Sequence, residues 1–219
     1  MERFGANFLI AGVITFLLGF FLQGVMPIIT LRKTPIKTVE QMAANPPESF
    51  YQLAEDYPDE FRKVYGEPNP QSFAKALRTG RDVYVAEACW HCHSQFVRPV
   101  SNEDLRFGPV STAEEYQNDM FLPHLFGTRR IGPDLIREAG KRSNDWQMAH
   151  LYDPRSVNPW SVMPGYVWFF DADRRPQERA LALVAYLQWL GSWVPPAGAQ
   201  QASAAPAPSA PAAPGAGGA

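Results

Sequence analysis

The sequence predicts an all-α protein: a single N-terminal transmembrane helix, a helical domain, and an Ala/Pro-rich C-terminal tail without fixed structure. Three observations predict it. Phe4 to Leu31 contains no charged residue. Apolar residues recur at helical spacing over 50–65 and again over 176–191, with no alternating strand-helix pattern. Residues 195–219 are rich in Ala, Pro, Gly and Ser and carry neither charge nor a large apolar side chain, so they cannot bury a core. A length of 219 residues allows one modest domain plus appendages, and a net charge of -2 offers no basic face for nucleic acid.

Residues 1–38 form the first unit. About 20 apolar residues in a helix cross a hydrocarbon layer of ~30 Å. Gln23 and Pro27 sit towards the far end of the run, where a polar group or kink costs least. The run is long for a cleaved leader, and no Ala-x-Ala-like site follows it, so an uncleaved anchor is expected. Arg32, Lys33 and Lys37 follow the span, and only Arg3 precedes it. That bias alone places the long C-terminal part inside the cell.

Residues 39–71 form an acidic lead-in punctuated by Asn45-Pro46-Pro47, Pro58, Pro68 and Pro70. Phe50, Leu53, Tyr57, Phe61, Val64 and Tyr65 recur at helical spacing opposite Glu55, Asp56, Asp59 and Glu60, which reads as two short amphipathic helices. Their apolar face either packs on the domain that follows or docks on a membrane partner.

Residues 72–194 form the main domain, organised around Cys89-Trp90-His91-Cys92-His93. This is the Cys-x-x-Cys-His pattern of covalent haem c attachment. Two thiols on one helical turn reach the two vinyl groups of a porphyrin, and the adjoining His93 ligates its iron. His91 is a spacer. A structural zinc site needs further ligands, and the chain has no third cysteine. Haem c is attached outside the bacterial cytoplasm, which overrides the small charge bias. The expected location is the bacterial inner (cell) membrane, single-pass, with the haem domain on the periplasmic side.

Ser72 is a candidate cap for a helix running through Phe73, Ala76 and Leu77 towards the cysteines. Pro176 to Gly191 reads as a second helix, stopped by Gly191. Candidates for the sixth iron ligand are Met120, His124, Met148, His150 and Met163. Met163 is favoured because it lies between a Gly-Pro loop and the last helix, with Pro164 holding its backbone. Arg98, Arg106, Arg129 and Arg130 are candidates to neutralise the haem propionates, and Trp160, Tyr166 and Trp168 to wall the pocket.

Gly80-x-x-x-Tyr84 before the haem motif and Leu183-x-x-Tyr186 near the end resemble the crossing helix pair of class I cytochromes c. Gly132-Pro133-Asp134-Leu135 is similar to the loop that lends these proteins a backbone carbonyl for the proximal histidine, here Pro133 for His93. Met163-Pro164-Gly165-Tyr166 is similar to their distal-ligand loop.

A narrower resemblance rests on a combination of motifs. Gly80-Arg81-Asp82-Val83-Tyr84, the haem motif with Ser94-Gln95, Arg98-Pro99, Thr128 through Leu135, Trp146, and His150-Leu151-Tyr152-Asp153-Pro154-Arg155 all take part. With Met163-Pro164 and Leu183 through Leu187 they resemble the membrane-anchored monohaem cytochrome c subunit (the O subunit) of cbb-type haem-copper cytochrome c oxidases. The resemblance covers about residues 5–30 and 78–192. It implies one covalent haem c held by Cys89 and Cys92, with His93 and Met163 on the iron. It further implies an electron-transfer role in a respiratory chain, with no oxygen-reduction site in this chain. The implied partners are the integral membrane haem-copper oxidase catalytic subunit and other cytochrome c subunits or a donor cytochrome c. The lead-in and the tail depart from that pattern. The monohaem subunit of a nitric oxide reductase and a free membrane-anchored carrier remain open as alternatives.

Overall fold

The computed structural model describes residues 2–127 and 129–194, with no side-chain description of Glu2 and Arg3. The expected unstructured tail, 195–219, lies outside the described residues. The described chain is mostly helical, with no strand; its only bridge pairings are the isolated Lys37–Asn118 and Phe170–Pro176.

Helix α1 (Glu2–Phe20) continues through a wide π turn (Phe21–Val25) into α2 (Met26–Leu31). Phe4–Leu31 is one 28-residue apolar span with no buried residue. Pro27 has no N–H to give the carbonyl four residues back, that of Gln23, and the widened turn absorbs this loss without ending the helix.

The chain then joins the folded body. Lys37 N–H donates to the Gln117 carbonyl at 2.9 Å, and Asp119 N–H donates back to the Lys37 carbonyl at 3.0 Å. The lead-in opens with a short helix, α3 (Val39–Ala43), which the spacing does not announce, and continues with the two expected over 50–65, α4 (Glu48–Asp56) and α5 (Pro58–Tyr65). Thr38 caps α3 reciprocally with Gln41, a local signal that outweighs the shortness of the segment. The apolar face of α4 and α5 is turned into the protein. Phe50, Leu53 and Phe61 are buried, and the Phe50 ring lies 5.2 Å from Phe61 and 4.7 Å from Phe73.

Helix α6 (Pro70–Ala86) carries the haem motif at its C-terminal end. Its cap is Asn69, not Ser72. The Asn69 side chain accepts from the N–H groups of Gln71 and Ser72, and Ser72 Oγ returns a bond to Asn69 N–H. Ser72 is thus the third residue of a capping box, and Pro70 occupies the first turn, where its missing N–H costs nothing. The last helix, α10 (Glu178–Trp189), crosses α6 closely. A Cβ on Gly80 would fall 2.6 Å from Tyr186 Cβ and onto the Ala182 carbonyl, so only glycine permits this approach. One turn on, the Tyr84 and Tyr186 rings pack at 5.6 Å. Between these two helices come α7 (Glu103–Phe107), α8 (Asn144–Tyr152) and α9 (Pro154–Val157), joined by loops that close over one face of the crossing.

Candidate haem site

A cavity of about 720 Å³ opens beside the α6–α10 crossing. Cys89, His93, Pro133 and Met163 all line it, with Leu183 and Leu187 of α10 forming apolar wall. Cys92 is half-buried and is not part of the lining. The motif itself is a tight 3-10 turn, Cys89–His91, entered through Ala88 at a left-handed φ of 56°.

The His93 imidazole is held from behind. Its Nδ1 lies 2.9 Å from the Pro133 carbonyl. That bond assigns the proton to Nδ1 and leaves Nε2 with its lone pair free. Burial pushes the His93 pKa below the usual histidine range, against the opposing pull of the Pro133 carbonyl, so the ring is neutral and able to ligate. Gly132 presses on the same ring: a Cβ there would lie 2.8 Å from His93 Nδ1.

The Pro133 loop is itself fastened to the chain following the motif. Ile131 and Gly132 N–H both donate to the Cys92 carbonyl at 3.0 Å, and Leu135 N–H donates to the Ser94 carbonyl at 2.9 Å. Asp134, 1% exposed, accepts from Ser94 Oγ at 2.5 Å, Phe96 N–H at 2.9 Å and Ile136 N–H at 2.9 Å. Arg130 donates to Ser94 Oγ at 2.5 Å and to Glu103 at 2.6 Å, and Arg98 also donates to Glu103, at 2.9 Å. The Arg130 guanidinium holds the Glu103 carboxyl down to about 2.

Two arginines expected at propionates are therefore already engaged by Glu103. Arg129 is exposed and does not line the cavity; Arg106 does. The expected aromatic wall is also placed differently. Trp160 is 90% exposed and Trp168 51%, while Tyr166 packs against Cys89; none lines the cavity. Trp146 takes that position, one helical turn before His150, with which it stacks at 4.8 Å. The signal for Trp146 in the sequence is its spacing of four from His150. Burial pushes the Cys89 thiol up to about 11.

Among the five candidates for a second ligand, Met163 and His150 line the cavity. Met120 and Met148 are core residues, and His124 stacks on Phe126 at 4.8 Å beside a separate hollow. Met163 N–H donates to Ser161 Oγ at 3.2 Å.

The donor set fits a haem: a histidine with one nitrogen engaged and the other free, a thioether in the same cavity, and apolar walls of suitable extent. The fold and this cavity are those of a helical protein with one membrane-type span and a site that fits the haem of a cytochrome. The family described as cytochrome c oxidase, mono-heme subunit/FixO matches residues 69–180, just over half of the chain, and the chain belongs to it. The matched span includes the whole motif, the Pro133 loop and Met163. No curated protein matches the chain. Membership makes this a one-haem subunit of a cytochrome c oxidase of the cbb3 type, accessory to the subunit that reduces oxygen.

Proposed function

We propose that the protein relays electrons to the oxidase catalytic subunit through one covalently bound haem c. Cys89 and Cys92 would hold the haem through thioethers, His93 and Met163 would ligate its iron, and the Pro133 carbonyl would orient His93. The observation that carries this reading is the 2.9 Å bond between His93 Nδ1 and the Pro133 carbonyl inside a cavity shared with Cys89 and Met163. When bound, the haem supplies a one-electron ferric/ferrous couple, and a thioether ligand favours its ferrous form.

The chain's own residues keep the geometry of that couple constant. The Pro133 carbonyl and Gly132 fix the His93 ring, and the buried Asp134 fixes the loop that bears them. Leu183, Leu187 and Leu151 keep water from the cavity wall. The Ser161 hydroxyl holds the Met163 backbone in place. With His93 and Met163 both on the iron, no ligand position would be left for oxygen, and its reduction would belong to the partner.

We propose 1–38 as anchor, 39–71 as lead-in and 72–194 as haem domain, with the first residues of α6, which starts at Pro70, falling on the lead-in side of the second boundary. The haem domain stands on the periplasmic side, where haem c is attached. Other cytochromes c supply its electrons. Purification through a C-terminal tag in mild detergent, followed by mass spectrometry, tests the reading. The expected result is recovery of a multi-span haem-copper subunit, with a covalent haem on this chain shown by its pyridine haemochrome. A chain recovered alone even after cross-linking overturns the relay.

A further inference from the structure

A haem c carries two propionic acids on the edge of the ring opposite its thioethers. Enclosing two carboxylates in a protein cavity is costly unless cations and donors meet them. The cavity wall carries such groups, held in place without a carboxylate: Lys141 Nζ donates to the Phe107 carbonyl at 3.2 Å, and the Arg106 guanidinium lies over the Phe107 ring at 4.9 Å. Arg106 lines it from α7, and Lys141 and Arg142 line it just before α8. None of the three lies within ion-pair distance of a carboxylate among the described residues, whereas Arg98, Arg130 and Arg137 are each paired. The Arg142 guanidinium lies over the Trp146 ring at 4.8 Å, and that ring stacks in turn on His150. Residues 142, 146 and 150 are thus a ladder at helical spacing along the cavity. At its inner end His150 Nδ1 is buried with no hydrogen-bond partner. A propionate carboxylate is an acceptor of the kind that satisfies such a nitrogen when it carries its proton.

We propose that Arg106, Lys141, Arg142 and His150 form the subsite for the haem propionates. This deepens the haem reading above and rests on it. The propionate edge then points towards α7 and the start of α8, away from Tyr166, which packs at Cys89. Glu138 lines the same wall and accepts from Gln147 at 3.0 Å. Burial raises its pKa against the pull of Lys141 and Arg142, which limits its repulsion of the propionates. The arginines on Glu103 serve the Pro133 loop instead, so the two arginine groups have separate tasks.

The test uses the full-length, haem-loaded protein with carbon-13 in the propionate carboxyls. Redox-induced infrared difference spectra and midpoint potentials are measured for R106Q, R142Q and H150F, with R175Q, whose partner is the distant Glu60, as control. The expected result is a shift of the label-sensitive carboxylate bands in all three variants. R106Q and R142Q also lower the potential, because each removes a positive charge that favours the ferrous form; R175Q changes neither. Unchanged bands and potentials in R106Q and R142Q overturn the proposal. Arg106 and Arg142 are exposed, so those two variants decide the matter even if H150F fails to retain haem. A wild-type protein without covalent haem breaks the reading underneath, whereas haem-loaded variants with unmoved bands break only this one.

Discussion

The two sides of the cavity are built in opposite ways. The His93 side is a wall of backbone: carbonyls of Cys92, Ser94 and Pro133 accept, Gly132 permits a contact that any side chain would block, Asp134 is sealed beneath, and the Gly80 crossing of α6 and α10 supports the wall. The Met163 side is a loop between α9 and α10: Met163 itself rests on one serine hydroxyl beside exposed Trp160 and Val162, and the loop is tied back to α8 only after it, by Tyr166 N–H on the Leu151 carbonyl at 2.7 Å. A ligand fixed by many mutually dependent bonds moves only if the fold moves. A ligand on a lightly held loop can be altered while the fold stays intact. Stability is thus concentrated on one side of the cavity and adjustability on the other.

Substitutions can break or sharpen that contrast. Gly80→Val has the largest expected effect, about 3 kcal/mol or more of destabilisation, because the added methyls meet the α10 backbone. Chemical denaturation with circular dichroism measures it, and near-wild-type stability refutes the close crossing. The Glu103 network comes next. Its carboxyl pKa is held below the unfolded value near 4.5 and down to about 2, so its stabilisation is complete above pH 4.5. It is lost as pH falls towards 2. Thermal melts from pH 7 to pH 3 are expected to drop steeply in the wild type and less in Glu103→Gln, which begins from a lower melting point at pH 7.

Met163→Ala acts on the other side. It is expected to leave a folded, covalently loaded protein with a destabilisation of about 1 kcal/mol, while the iron becomes high-spin and binds carbon monoxide; absorption spectra with and without the gas check this. His150 in the same cavity offers one alternative outcome, a low-spin spectrum that rejects the gas, and that result would show a replacement ligand. Trp160→Ala is the smallest change. At 90% exposure its loss should shift stability by less than about 0.5 kcal/mol, measured by the same denaturation.

Much of this was legible in the sequence because it depends on local spacing. The uncharged run from Phe4, the haem motif, the Gly80–Tyr84 pair and the Gly132-Pro133 loop each occupy a fixed register. The cap of α6 was misplaced by three residues because Asn69 and Ser72 cap each other, and either reads as a start signal. The arginines were harder. Arg98 and Arg106 are alike in sequence, but Glu103 lies within reach of one and the cavity beside the other, and only the turn of α7 decides which. Trp160 is near Met163 in the chain and Trp146 is not, yet it is Trp146 that lines the cavity, because proximity in sequence says nothing about which way a loop faces.

The join at Lys37 sets a leash length. Five residues, Arg32 to Ile36, separate the end of the membrane helix from a residue already pinned by two backbone bonds to Gln117 and Asp119. At full stretch they span on the order of 20 Å. A domain on so short a lead cannot sweep the aqueous compartment in search of a mate. It is confined to a thin layer over the bilayer, and encounter becomes a two-dimensional problem in which a resident neighbour is met continually.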